Sequence, residues 1–275
     1  MPTEILVQRY RDALVVGTHN LMHGLRLRRL IRHYQHLRDA VGLDVLCLQE
    51  NRCALRGGHG DAVARALGPR YVHLADPQNP DVGIVYDRER FRCREHTVFA
   101  LPRLSRHSWF ERRYSDPRPR DRHAQVAVLE TPDGGAHTIA NFHLSTAGGN
   151  GHRYEQMRAL AEGIVRRGVA ERTVACGDTN AFHWRRRAQP AILDALLSPL
   201  AAIGVRAVGD TGPTHHFARQ NEPRLTHQLA VMLGKLGLDL PLRYDVVCTN
   251  LPVARGGQAR TPDSDHDLVW AALAA

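Results

Sequence analysis

No stretch of this sequence approaches the roughly 18 to 20 uninterrupted apolar residues that a membrane-spanning helix needs. The opening segment, MPTEILVQRYRDALVV, also lacks a signal-peptide core. Arg9, Arg11 and Asp12 interrupt its apolar residues before any small-residue cleavage site, so a cytoplasmic location is expected. Cysteine is scarce and badly spaced for bridges: there are five, an odd number, and no CxxC. Three of them, Cys47, Cys176 and Cys248, sit in strand-like apolar runs, where buried reduced thiols are the simplest reading. Seventeen histidines invite a zinc reading, but HExxH is missing and His215-His216 are adjacent rather than on one helical face. Lysine is nearly absent. Of the 37 basic residues all but Lys235 are arginine, the side chain whose forked donors suit phosphate oxygens, and the net charge of +9 favours an anionic partner. A generally solvated arginine surface accounts for the same charge, so composition alone selects no substrate.

The 275 residues are 43% hydrophobic, enough to bury a substantial core, and neither an internal repeat nor a linker divides them. One domain spanning 1–275 is expected. LVVGTHN at 14–20 and DVLCLQE at 44–50 read as buried strands on either side of an amphipathic stretch near 26–40. In that stretch Leu27, Leu30, Ile31, Tyr34 and Leu37 make one apolar stripe. VGIVYD at 82–87 reads as a further strand. HAQVAVLE at 123–130 and 137–144 are β-rich runs joined by TPDGGA, whose Asp-Gly-Gly is hairpin chemistry and predicts an antiparallel pair. RYEQMRALAEGIVRRG then places Met157, Leu160, Ala161, Ile164 and Val165 on one helical face, with Gly168 as a stop before strand TVACGD. DVVCTN at 245–250 and DLVWAAL at 267–273 complete the strands. Hairpins mixed with strand-helix-strand units predict two sheets packed face to face with helices outside, an α/β sandwich rather than a purely parallel sheet.

Polar residues stand where these strands end. Asn20 terminates the first and Glu50 the second, His143 lies in the NFHL strand, Asp178 and Asn180 follow the strand at 173–177, and Asp265-His266 precede the last. Magnesium takes hard oxygen ligands, one or two carboxylates completed by water and substrate phosphate, and this set offers them. Singly, each has an ordinary structural reading: Asn20 and Asp178 could cap helices or turns, and an isolated Asp-His pair is more often a surface feature.

Together, HNLMHG, LCLQEN, NFHLS, CGDTNAF and DSDHDLV resemble, in order, the motifs of the endonuclease/exonuclease/phosphatase superfamily. The resemblance runs from about residue 14 to 273, and its most specific pieces are Gly177-Asp178-x-Asn180 and Ser264-Asp265-His266-Asp267. It implies that superfamily's four-layered α/β sandwich of two mixed sheets with helices outside. It also implies a phosphoesterase that uses Mg2+, with Mn2+ as a substitute ion, and metal-assisted attack of water on a phosphodiester or phosphomonoester. Glu50 is then the principal metal ligand, with Asn20 and Asp265 close to the metal or its waters. Asp178 and Asn180 position the attacking water and hold a phosphate oxygen, and His143 donates to the charge building on the phosphoryl group. His266 becomes the general acid or base, oriented by Asp245 in RYDVVCTN. Asp178 and His266 both stay open as the group that takes the proton from water.

Two segments bear on the substrate. RLSRHSWFERRYSDPRPRDR at 103–122, with Arg113 and Tyr114 in its middle, combines arginines and aromatics in a way that suits phosphates and stacked bases, or a solvated loop. His215 and His216, in TGPTHHF, are candidates for substrate contact. After them comes an insertion, about 218–243, whose Leu225, Leu229, Met232, Leu233 and Leu236 make an amphipathic helix. DNA or RNA is slightly preferred as substrate, a small-molecule or lipid-headgroup phosphate being the alternative. A non-catalytic binding module on the same fold is the reading from a different class, and the intact Glu50, Asp178, Asn180, Asp265 and His266 argue against it.

Overall fold

Strand β1, Ala13–Asn20, is buried at every position, because its two faces meet two different layers. Ala13 and Val15 pack with helices on one side, while Leu14 and Val16 pack into the interface between two sheets. A strand covered on both faces reads as a continuous apolar run, which is how this one stands out in the sequence. The computed structural model describes residues 13–52, 58–76, 81–105, 121–167, 171–182, 186–209, 211–216, 219, 232 and 242–274.

Chain order among the described residues is β1, α1 (Leu27–Val41), β2 (Val45–Gln49), α2 (Gly60–Leu67), β3 (Tyr71–Leu74), β4 (Val82–Asp87), β5 (Arg92–Ala100), β6 (His123–Glu130), β7 (Ala136–His143), α3 (Gly149–Arg166), β8 (Thr173–Asp178), α4 (Gln189–Ala202), β9 (Arg206–Ala207), β10 (Asp245–Thr249), β11 (Val253–Ala259) and β12 (Leu268–Ala274). One six-stranded sheet has the order β11-β12-β1-β2-β4-β3 and the other β5-β6-β7-β8-β10-β9. Both are mixed: β1 with β2 and β7 with β8 are the parallel pairs, each crossed by a helix, and the other pairings are antiparallel. The expected hairpin is present, β6 running antiparallel to β7 through a turn closed by Thr131 N–H donating to the Gly135 carbonyl at 2.8 Å.

Three apolar clusters define four layers. Leu30, Tyr34 and Leu37 of α1 and Val63 and Leu67 of α2 pack on the first sheet. Met157, Leu160 and Ile164 of α3, with Leu193 and Leu200 of α4, pack on the second. Between the sheets lie Val16, Cys47, Ile84, Ile139, Val174, Cys176 and Val247, among others. The architecture is the expected α/β sandwich. One residue of the expected α3 stripe departs from it, since Val165 is exposed while Met157, Leu160, Ala161 and Ile164 are buried. Cys47, Cys176 and Cys248 are buried free thiols. No helix among the described residues is long and apolar enough to cross a membrane.

Close strand approach fixes Gly177, the residue before Asp178. A Cβ there would lie 2.1 Å from the Phe142 carbonyl oxygen, a backbone atom that cannot swing aside. Gly177→Ala is therefore expected to destabilise the fold by about 2 kcal/mol through forced displacement of β7 from β8. Urea denaturation checks this as a lowered midpoint.

Candidate active site

Sheet register gathers the polar strand ends at one edge of the sandwich. Asn20, the last residue of β1, pairs with Gln49, so Glu50 emerges beside it. His143, the last residue of β7, pairs with Asp178, and Asp178 pairs across the neighbouring antiparallel ladder with Asp245, the first residue of β10. Asp265 and His266 enter the same edge just before β12. Among the described residues, Met22, His23, Glu50, Asn180 and Arg172 hold positive φ without being glycine, and all but Arg172 belong to this edge. Such conformations cost about 1–3 kcal/mol each and persist where the surroundings enforce them.

Asp178 is the hub. Its Oδ2 accepts from Asn20 Nδ2 at 3.0 Å and its Oδ1 from the Asn180 backbone N–H at 2.8 Å. The ring nitrogens His143 Nε2 and His266 Nε2 stand 3.7 and 3.8 Å from Oδ2. Burial opposes charge on Asp178, but His266, His143 and these donors outweigh it and hold its carboxyl below the ordinary range. Behind His266, Nδ1 lies 2.7 Å from Asp245 Oδ2. Burial again opposes charge on His266, yet Asp245 and Asp178 push its pKa well above the usual imidazole value. Burial pushes Asp245 upward despite His266. Both shifts retain a proton in the pair. Thr214 Oγ1 accepts the backbone N–H groups of Tyr244 and Asp245, at 3.0 Å each, and so secures the strand that carries the carboxylate.

His143 is held by two residues that the strand-end pattern passed over. Asp81 Oδ2 lies 3.1 Å from His143 Nδ1, and Arg122 Nη1 lies 2.8 Å from each of these atoms. An Arg122 N–H donated to Nδ1 leaves the ring proton on Nε2, whereas a proton on Nδ1 faces the Asp81 carboxylate; in both states Nε2 is turned toward Asp178. Burial would raise Asp81, but Arg122, His143 and Arg52 hold it well below the carboxylate range. A sequence signal for Asp81 does exist, because it immediately precedes the buried run VGIVYD. Arg122 has none among so many arginines. Asp81→Asn is expected to reduce kcat about 10- to 100-fold, as loss of an orienting partner does, with KM little changed. It should also lower stability by about 3 kcal/mol, because Arg122 is left buried without its counter-charge. Steady-state kinetics and urea denaturation check the two effects separately.

Glu50 and Asp265 bring carboxylate oxygens to the same edge. Glu50 is partly exposed, with Oε2 3.3 Å from His23 Nδ1. Burial raises the Asp265 pKa to about 6, opposed by His266 and reinforced by Glu50 and Asp178. Carboxylates that repel one another at a buried edge fit a site for a positive ion. Among the described residues, two sets of potential ligands have donor atoms within 4.8 Å of one another, His215–Asp265–His266 and Asp178–Asp245–His266. Asn20 sits behind them: its Oδ1 accepts from the Met22 N–H at 3.0 Å while its Nδ2 holds Asp178. The Asn180 amide donates to the Leu144 carbonyl at 3.0 Å. His215 is at the edge, with Nε2 3.8 Å from Asp265 Oδ2. His216 faces away, its Nε2 3.0 Å from Asp267 Oδ2, and Arg219 joins the same carboxylate at 2.6 Å. Arg113 and Tyr114 lie outside the described residues, as does the insertion at about 218–243 apart from Arg219, Met232, Leu242 and Arg243.

The family model described as Endonuclease/Exonuclease/phosphatase family matches residues 17–266. This chain belongs to that family. Endonuclease/exonuclease/phosphatase proteins are hydrolases of phosphoester bonds, which places the chain among enzymes. Solved structures agree on the fold. D. rerio TDP2, complexed with a single-strand DNA product, is 15% identical with TM-score 0.65, the match covering 95% of this chain and 98% of that one. An endonuclease/exonuclease/phosphatase family protein from Bacteroides thetaiotaomicron is 16% identical with TM-score 0.61, over 95% and 94%. The human Nocturnin catalytic domain with a bound sulfate anion is 16% identical with TM-score 0.56, again over 95% and 94%. No curated protein sequence matches the chain.

Proposed function

We propose that this family member is a Mg2+-dependent phosphodiesterase acting on nucleic acid, a nuclease that cleaves by attack of water. The observation that carries the reading is the buried Asp178 carboxylate flanked by two histidines, each with its own buried aspartate behind it. Phosphoryl transfer builds negative charge on non-bridging oxygens, and donors already aimed at that place need no reorganisation. His143 donates from Nε2 to a phosphate oxygen. Asp178, held by Asn20 and Asn180, orients the water, and His266 exchanges a proton at Nε2 while Asp245 stabilises the imidazolium. Glu50 and Asp265, with Asn20 close by, hold the divalent cation, Mg2+ or Mn2+ in its place. When bound, the cation supplies positive charge against the phosphate oxygens and lowers the pKa of water.

Preference for a polymer rests on the net charge of +9 carried almost wholly by arginine, and on the single-strand DNA product bound by TDP2. Cleavage of labelled DNA and RNA against mononucleotides, inositol phosphates and phospholipids tests it, with binding measured across a salt titration. Polymer cleavage and a steep salt slope are expected. Turnover confined to small esters, with a shallow slope, would replace the nuclease reading by a small-molecule phosphatase.

A further inference from the structure

His215 is fixed in place beside the cation site by contacts on every side. Its backbone forms bridges to both Leu242 and His266. The amide donates to the Leu242 carbonyl at 2.8 Å, and the next amide, of His216, donates to the Asp265 carbonyl at 2.8 Å. Its ring stacks on Tyr244 with centroids 4.7 Å apart and planes 28° apart, and meets the His266 ring edge-on at 4.8 Å. So held, Nε2 faces Asp265 Oδ2 across 3.8 Å.

That spacing is too long for a hydrogen bond, which needs about 2.7–3.2 Å. Two ligands each about 2.2 Å from one ion stand about 3.1 Å apart at a 90° angle and about 3.8 Å apart at 120°, so one ion can meet both atoms. We propose that His215 is a nitrogen ligand of the cation that Asp265 helps to hold, and that this nitrogen makes the site bind Mn2+ more tightly than the Mg2+ of the proposed reaction. Mg2+ is hard and takes oxygen ligands almost exclusively, whereas imidazole adds affinity for first-row transition ions, so one nitrogen among carboxylates shifts the preference. The inference rests on the reading that Asp265 stands at the cation, and it goes beyond that reading in naming a ligand and an ion preference.

His215→Phe keeps a ring to stack on Tyr244 while removing the donor. Calorimetric titration of wild type and His215→Phe with Mn2+ and Mg2+, together with pulsed electron paramagnetic resonance of the Mn2+-loaded proteins, tests the proposal without any substrate. Wild type is expected to bind Mn2+ at least about tenfold more tightly than Mg2+. The variant should lose about tenfold in Mn2+ affinity while its Mg2+ affinity moves by less than about threefold. The Mn2+ spectrum of wild type should carry nitrogen hyperfine coupling that weakens in the variant. A wild-type Mn2+ spectrum without nitrogen coupling overturns the proposal with no variant needed, as does a folded His215→Phe with unchanged selectivity. If wild type binds neither ion, the proposal fails together with the metal reading beneath it, whereas unchanged selectivity with tight binding leaves that reading standing.

Discussion

His266→Gln is expected to lower kcat by about 10³-fold, in the middle of the range of roughly 10² to 10⁴ that a positioned acid or base contributes. Its ring spans the two buried carboxylates, Nδ1 at 2.7 Å from Asp245 and Nε2 at 3.8 Å from Asp178. A glutamine amide can hydrogen-bond there but has no titratable proton to move. Because removal leaves both carboxylates buried without their cation, stability should fall as well, by about 3 kcal/mol. Rates are therefore to be compared per folded molecule, with circular dichroism confirming the fold. In the proposed mechanism Asp245 works through His266, so the Asp245→Asn/His266→Gln double variant should be hardly slower than His266→Gln alone. The sign of the pH effect follows from the raised His266 pKa. The imidazolium persists through neutral pH, and both its stabilising charge and its proton are lost as pH rises through the folded value. Asp245→Asn lowers that value, and the alkaline limb of the kcat/KM profile should move to lower pH.

Glu50→Gln is expected to reduce kcat/KM by about 10³-fold or more, since charge stabilisation by a catalytic cation is worth several kcal/mol and each 1.36 kcal/mol is about tenfold. Its effect on the metal-free protein should be opposite in kind. Glu50 sits at φ 52° and its charge works against ionisation of Asp265, so removing that charge relieves repulsion and should leave the apo melting temperature equal or higher. What disappears is the rise in melting temperature that a native-state ligand produces by mass action. Thermal scans with and without Mg2+ or Mn2+ separate the two effects. A variant that loses activity because it unfolds would show the reverse pattern.

The sequence made the interior legible and the periphery much less so. β1, β2, β4, β6, β7, β8, β10 and β12 are apolar runs covered on both faces, and all were readable as strands. β5 and β11 are edge strands with mostly exposed or half-exposed residues, RCREHTVFA and VARGGQA, and polar edges of this kind avoid pairing with other chains at the cost of the apolar signal. α4 was hidden for the opposite reason. QPAILDALLSPLAA is apolar nearly all round and contains Pro199 inside the helix, so it carries no stripe at helical spacing. At the candidate site, Asn20, Glu50, His143, Asp178, Asp265 and His266 stand out in the sequence because each is a polar residue abutting an apolar strand, whereas Asp245 is reached only through the family resemblance. Asp81 and Arg122 were missed because their role appears only when β4 and β6 bring them beside His143. The different surroundings of His215 and His216 depend on the Leu242 and His266 bridges, which a sequence reading cannot place.

The most direct measurement is cleavage of an end-labelled single-stranded oligonucleotide by the purified protein, with Mg2+ or Mn2+, with EDTA, and with Asp178→Asn beside wild type. The proposed chemistry predicts cation-dependent cleavage by wild type that EDTA abolishes, and a loss of at least about 10³-fold in Asp178→Asn, the residue on which both histidines converge. Undiminished cleavage by folded Asp178→Asn, or by wild type in EDTA, would contradict it.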